Sequence, residues 1–367
     1  MIRVDLNSRI IDEGHKVFMV RPGANYRLYD LFRENEAIFA DIVALDLKQG
    51  ISFDDQDRIL AQLQRSRNIR AHLLRPSGDA PSRDLDHYQS VSRTSALAQL
   101  LRVLRGYFEQ AKKGDLVLVP PSAFSLDALV GEIQDEPNNF KVIEYSERYG
   151  NERLYGRRVR WLGKVQKGKL SPYLLDLISK PNAFVQIRRQ EAQSIYRIAY
   201  GSYADESDVR VSFTVDDPDF TISDDLKIQA FFNFVAVNLE NQRKGRPPQS
   251  VEEAIFSRDG DSFELQSNIH SPGYLNLVSK ATGPLTVAAL FLLATQLGPE
   301  AVDAAGNDTV IIGNSKDPND VCTAEVSREV LSQLRLLGAE RWAKACEIAN
   351  DAALSSGLKG PATIDLP

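Results

Sequence analysis

Cysteine is nearly absent: Cys322 and Cys346 are the only two in 367 residues. They stand far apart in no metal-ligand pattern, which excludes a disulfide scaffold. Histidine is also scarce. His15, His72, His87 and His270 share no ligand spacing, so neither a metal nor a cofactor is expected. The sequence has no P-loop and no dinucleotide-binding glycine fingerprint, and nothing around Ser271 completes a catalytic triad. It has no internal repeat and no low-complexity tract. No apolar run reaches the roughly 20 residues that a spanning helix needs. Gly283 to Leu297 is shorter, contains Gln296 and has no flanking positive charge beyond Lys280. Residues 284–297 therefore read as a helix buried in a core or between subunits, with a membrane-acting effector as the alternative. Met1 to Asn7 hold no apolar signal core. Together with the two cysteines, this sets the expectation of a reducing cytoplasm.

Hydrophobic residues make up 43% and charged residues 26% of the chain, enough for sizeable cores. The length exceeds what one core usually serves, so two domains are expected, 1–190 and 191–367. Their charges differ. The first holds 30 Lys and Arg against 24 Asp and Glu, a net of +6; the second holds 14 against 26, a net of −12. Arg outnumbers Lys 21 to 9 in the first half. Arg offers a planar fork to phosphate, where Lys offers a point charge. The imbalance points to a polyanion partner, DNA or RNA, for the first half. The plainer alternative is that the two halves attract each other.

Periodicity gives the elements. Strands are predicted over 16–21, ending at the Pro22-Gly23 turn, and over 37–45, 116–120, 128–134, 140–145, 157–162 and 182–188. Helices are predicted over 26–35, 54–70 and 92–113, with another starting at Ser171-Pro172. Residues 75–90 read as a loop. In the second half, 196–203 and 209–215 read as a hairpin across Asp205-Glu206. A helix over 225–242 follows, capped by Ser223 or Asp224. Strands over 262–269, 274–279 and 310–313, the apolar helix and a helix over 327–354 complete it. The fold class is α+β: a small curved sheet or partial barrel, followed by an α+β C-terminal domain.

Four stretches of the first half carry a resemblance: Val17 to Gly23, Lys113 to Pro120, Gly131-Glu132-Ile133 and Arg157 to Leu162. In this order and spacing they resemble the N-terminal domain of Mrr-like restriction proteins, a relative of the PUA and EVE folds, over about residues 16–190. The resemblance implies a compact barrel-like domain whose relatives accept modified or flipped bases in a pocket, in a bacterial defence setting. The family often has a Trp shortly after the first helix, where this chain has Phe39, and residues 46–92 are longer than usual. No family is recognised for 191–367, and the Mrr nuclease domain is not evident there.

Two groups of residues carry the candidate chemistry. Arg21, Pro22, Gly23, Tyr26, Phe39 and Trp161 are the candidate base site. Arg21 would read a base edge or phosphate, Gly23 would let a ligand approach the backbone, and the aromatics, with Tyr29, would stack. The alternative is a plain turn beside core aromatics. Arg153, Arg157, Arg158 and Arg160 are the candidate phosphate contacts, because so many sit within eight residues. Strand alternation sets Arg158 and Arg160 on one face and Val159 and Trp161 on the other, so a core role for Trp161 is the competing reading. Asp216, Asp217, Asp219, Asp224 and Asp225 form acidic turns that suit Mg²⁺ or, more simply, solvent. Asp259, Asp261 and Glu264 resemble a nuclease strand, but Gln266 stands where its Lys belongs. The chain thus reads as a nucleic-acid-binding protein, with a modified base as one option. Its C-terminal half would be a homo-oligomerisation or effector module. A metal-dependent nuclease and a membrane-acting effector are the alternatives. No catalytic residue is assigned, and enzymatic activity is not expected.

Overall fold

The computed structural model describes residues 1–47, 53–89, 94–257, 263–268, 273–317 and 320–366. The chain folds as mixed α+β in two units, Gly14–Ala199 and the pair Met1–Glu13 with Tyr200–Pro367.

In Gly14–Ala199, short apolar runs become strands because both of their faces are covered. Val17–Val20 and Leu116–Val119 are buried at every position and run parallel. The seven-stranded sheet takes the order Ala37–Phe39, Arg153–Gln166, Asp127–Ile133, Leu116–Val119, Val17–Val20 and Phe184–Gln186, and it curls into a half-barrel. Lys141–Glu144 also pairs with Arg153–Gln166. That strand is 14 residues long, against the six predicted at 157–162. Ala37–Phe39 is shorter than the predicted 37–45. The helix Gln56–Leu74, capped by Asp55, whose side chain accepts from the Arg58 backbone N–H, packs on the helix Ser95–Arg105. The helix Ser95–Arg105, capped by Thr94, ends in a π turn over Gly106–Gln110. The core joins Phe18, Phe32, Phe39, Leu63, Leu104 and Phe108.

The predicted boundary at residue 190 is corrected by the first strands of the chain. Ile2–Asp5 is the middle strand of a three-stranded sheet, parallel to Val310–Gly313 and antiparallel to Thr363–Asp365. Ser8–Ile10 runs parallel to Ser202–Ala204 at one end of a six-stranded sheet. Residues 1–13 therefore belong to the acidic unit, and Gly14–Ala199 is inserted into it. The six-stranded sheet continues through Val209–Val215 and Gly273–Ser279 to Glu264–Asn268. Over it pack Ile222–Arg243, Gly283–Gln296 and Val321–Ser356, around Phe213, Phe231, Phe291 and Trp342.

Two readings change in type. Residues 196–203 are not one strand: the helix Arg189–Tyr200 ends there, and Ser202–Ala204 follows. The cap of Ile222–Arg243 is Thr221, with Asp224 at the third position of a capping box. The apolar helix Gly283–Gln296 is buried along its length. No single helix among the described residues is long and apolar enough to cross a membrane, although that helix and Glu300–Gly306, bent by 119°, meet the composition together.

Candidate nucleic-acid interface

The turn after Val17–Val20 holds Arg21, and the fold engages its guanidinium internally. Nε donates to Asn182 O at 3.4 Å and Nη1 to the Tyr26 hydroxyl at 3.1 Å, while Nη2 donates to Ile178 O and Lys180 O. Four of the five donors are thereby used, and Arg21 finishes the C-terminal end of the helix Pro172–Ser179. Pro22 is buried. Gly23 sits at φ 70°, where a Cβ would press on Leu28 at 3.1 Å. Asn25 and Tyr26 also take positive φ, 54° and 58°. Tyr26 lies under two cations, Arg21 at 5.2 Å and Lys167 at 5.0 Å. Lys167 is itself buried and donates to Pro121 O and Ser122 O at 3.0 Å each.

The aromatic walls do not assemble. Phe39 is 1% exposed and meets Phe32 edge to face at 4.7 Å. It is sealed in the core and offers no face to a base. Tyr29 donates to Asp127 O. Trp161 is half-buried against the core, above Gly131, where a Cβ would strike its ring. Phe39 therefore supplies no wall to the expected pocket between Arg21, Phe39 and Trp161.

The four strand arginines part company. Arg157 is fully buried, and its Nη1 donates to Tyr107 O at 2.7 Å and Ala111 O at 3.0 Å. Nη2 donates to Asp135 O. Burial pulls this guanidinium down to about 10. It closes the end of the Gly106–Gln110 turn, and its assignment as a phosphate contact is corrected. Arg158 and Arg160 are exposed, but each has a carboxylate on the neighbouring chain segment. Arg158 grips Asp135 at 2.6 Å, Arg160 meets Glu132 at 3.2 Å, and Lys164 meets Asp127 at 3.1 Å. Each of these exposed cations is thus held by a carboxylate.

Arg153 is different. It is exposed and, among the described residues, forms no ion pair. It lines a cleft of about 250 Å³ with Arg65, Arg83, Asn151, Glu152 and Tyr155. Arg65 holds the cleft walls together: Nη1 donates to Arg83 O and Nη2 to Ala44 O, 3.0 Å each. Arg83 is 72% exposed and pairs with Glu152. Asp41 organises the adjacent corner. It accepts from Arg27, from Arg70 at 2.7 Å and from the Tyr149 hydroxyl, to which Arg148 donates at 3.2 Å. Burial works to raise the Asp41 carboxyl, but Tyr149, Arg70 and Arg27 outweigh it and hold the group below the ordinary carboxylate range. Sequence reading missed Arg65, Arg83 and Asp41. The available signal was Arg58, Arg65, Arg67, Arg70 and Arg75 on one predicted helix and its end.

In the other unit, the acidic turns serve the fold. Asp216 pairs with Lys359 at 2.8 Å, Asp217 accepts from Asp219 N at 2.7 Å, Asp224 completes the capping box and Asp225 holds Gln229. Among the described residues no metal-holding group of His, Cys, Asp or Glu is present. Asp259, Asp261, His270 and Ser271 lie outside the described residues.

Counted by unit, Gly14–Ala199 carries 29 Lys and Arg against 22 Asp and Glu, a net of +7. The other unit carries 15 against 28, a net of −13. No family model, no curated protein and no solved structure matches the chain.

Proposed function

We propose that Gly14–Ala199 binds nucleic acid, with the cleft of Arg65, Arg83 and Arg153 on the phosphate backbone and Tyr155 beside it for stacking. The observation that carries this reading is Arg153, exposed and unpaired among the described residues, beside a second exposed guanidinium in a unit of net +7. The curled sheet and the resemblance to the Mrr-like, PUA/EVE-related domain lend it support. A pocket for a modified base is not included, because Phe39 is sealed. The acidic unit then serves as an oligomerisation or effector module. A protein of this kind has no need of a membrane.

The test is fluorescence anisotropy of the full chain with labelled single-stranded DNA, single-stranded RNA and duplex. Three phosphate contacts on a single strand predict roughly a 20-fold loss of affinity between about 50 and 200 mM salt. Arg153→Ala is expected to weaken binding alike on all sequences and to reduce the salt slope by about one. Absence of binding, or binding indifferent to salt, ends the proposal.

A further inference from the structure

Among its described residues the acidic unit exposes large apolar side chains. Ile222 is 90% exposed, Leu226 62% and Phe256 89%. Leu226 lines a groove of about 240 Å³ with Asn233, Ile255, Phe263, Leu265 and Leu277; Ile222 stands one helical turn before Leu226, and Phe256 follows Ile255. One wall is the helix Ile222–Arg243, where Ile222, Leu226, Gln229 and Asn233 follow helical spacing. The other is the strand Glu264–Asn268 at the end of its sheet. Among the described residues the groove lining carries no charge, and its neighbours in sequence are mainly acidic: Asp225 beside Leu226, Glu252 and Glu253 before Ile255, and Glu264 between Phe263 and Leu265, against the base Lys227. Exposed apolar surface with a polar rim marks a contact site. We infer that this groove takes an amphipathic helix of a partner protein, with apolar anchors on one face and Lys or Arg on the other. A helix laid in a groove presents anchors at i, i+3 or i+4, and i+7, matching the spacing of the wall. The acidic rim inside a unit of net −13 selects a basic helix. A second copy is disfavoured as occupant, because pairing this face with itself brings acidic rims together.

The test uses the full chain and a labelled peptide of Leu at these spacings with Lys elsewhere, about four turns long. A scrambled Lys/Leu peptide of equal charge and a Leu/Glu peptide are the controls. The amphipathic Lys peptide is expected to bind at least tenfold more tightly than either control. Leu226→Gln and Phe256→Ser are each expected to weaken it about tenfold with an unchanged melting temperature. Hydrogen exchange is expected to slow within 222–233 on binding. Equal binding of the scrambled peptide, no binding at about 100 μM, or indifference to both substitutions overturns the inference. So does a dimer in sedimentation equilibrium that Leu226→Gln dissolves, since a second copy is then the occupant.

Discussion

Asp41 holds two arginines of the basic unit in place, and Arg157 is itself held by three backbone carbonyls. The Asp41 side chain is 12% exposed and serves two guanidiniums and a phenol at once. Asp41→Asn leaves Arg27 and Arg70 without their counter-charge, and removing one partner of a buried pair costs roughly 3–5 kcal/mol. The folded carboxyl lies below its ordinary value of 3.8. Its stabilisation is therefore complete above the unfolded value and is lost as pH falls through the folded one. Thermal melts of the two proteins are expected to differ widely at neutral pH and to converge below the folded value; a constant gap across pH refutes the role. Arg157→Ala empties a fully buried site and leaves three carbonyls without a donor. It is expected to lower stability by several kcal/mol, roughly 3–5 as for a broken buried pair. Arg153→Ala is expected to leave the melt unchanged and act only on binding. Two residues four apart on one strand thus separate folding from function, and equal effects of both on the melt would contradict this. Sequence alone does not distinguish them. Four arginines within eight residues look alike until the neighbouring segments show which meet carbonyls, which meet carboxylates and which meet solvent.

At the scale of elements, the apolar helix Gly283–Gln296 was legible because its composition leaves it no polar face. Leu290 is fully buried. Leu290→Asp sets an unpaired charge in that core and is expected to cost several kcal/mol, about as much as breaking a buried pair (roughly 3–5). Circular dichroism and solubility check it: a soluble variant with an unshifted melt contradicts the packing. Strands buried on both faces, such as Leu116–Val119, were equally plain. The last turn of Arg189–Tyr200 falls in the predicted strand 196–203 because Tyr196, Ile198 and Tyr200 alternate as a strand would. Ala192, Ile195, Tyr196 and Tyr200 carry the helical repeat that burial follows. The cleft was illegible for another reason. It draws on a helix, a loop read as filler and the start of a strand, and no local pattern joins Arg65, Arg83 and Arg153. The strands Ile2–Asp5 and Ser8–Ile10 were missed because four or three residues give no period, and their partners lie about 200 to 360 positions away.

For the molecule as a whole, the insertion makes charge and chain order disagree. A fragment of residues 191–367 lacks the middle strand of the three-stranded sheet, so Val310–Gly313 and Thr363–Asp365 lose their shared partner. It is expected to melt without cooperativity. Residues 1–13 joined by a short linker to 200–367 are expected to fold and to ignore nucleic acid. Gly14–Ala199 is expected to fold alone and to bind with the salt dependence of the full chain. A cooperative melt for 191–367 removes the insertion as a requirement. The same insertion sets an order of events during synthesis. The basic unit leaves the ribosome complete while residues 1–13 of the acidic unit still await their partner strands. The rest of the chain takes on the order of ten to thirty seconds to follow, at about 5–20 residues per second. Throughout that interval Ile2–Asp5 has no edge to join, and a finished positively charged unit sits beside ribosomal RNA before its acidic companion has been made.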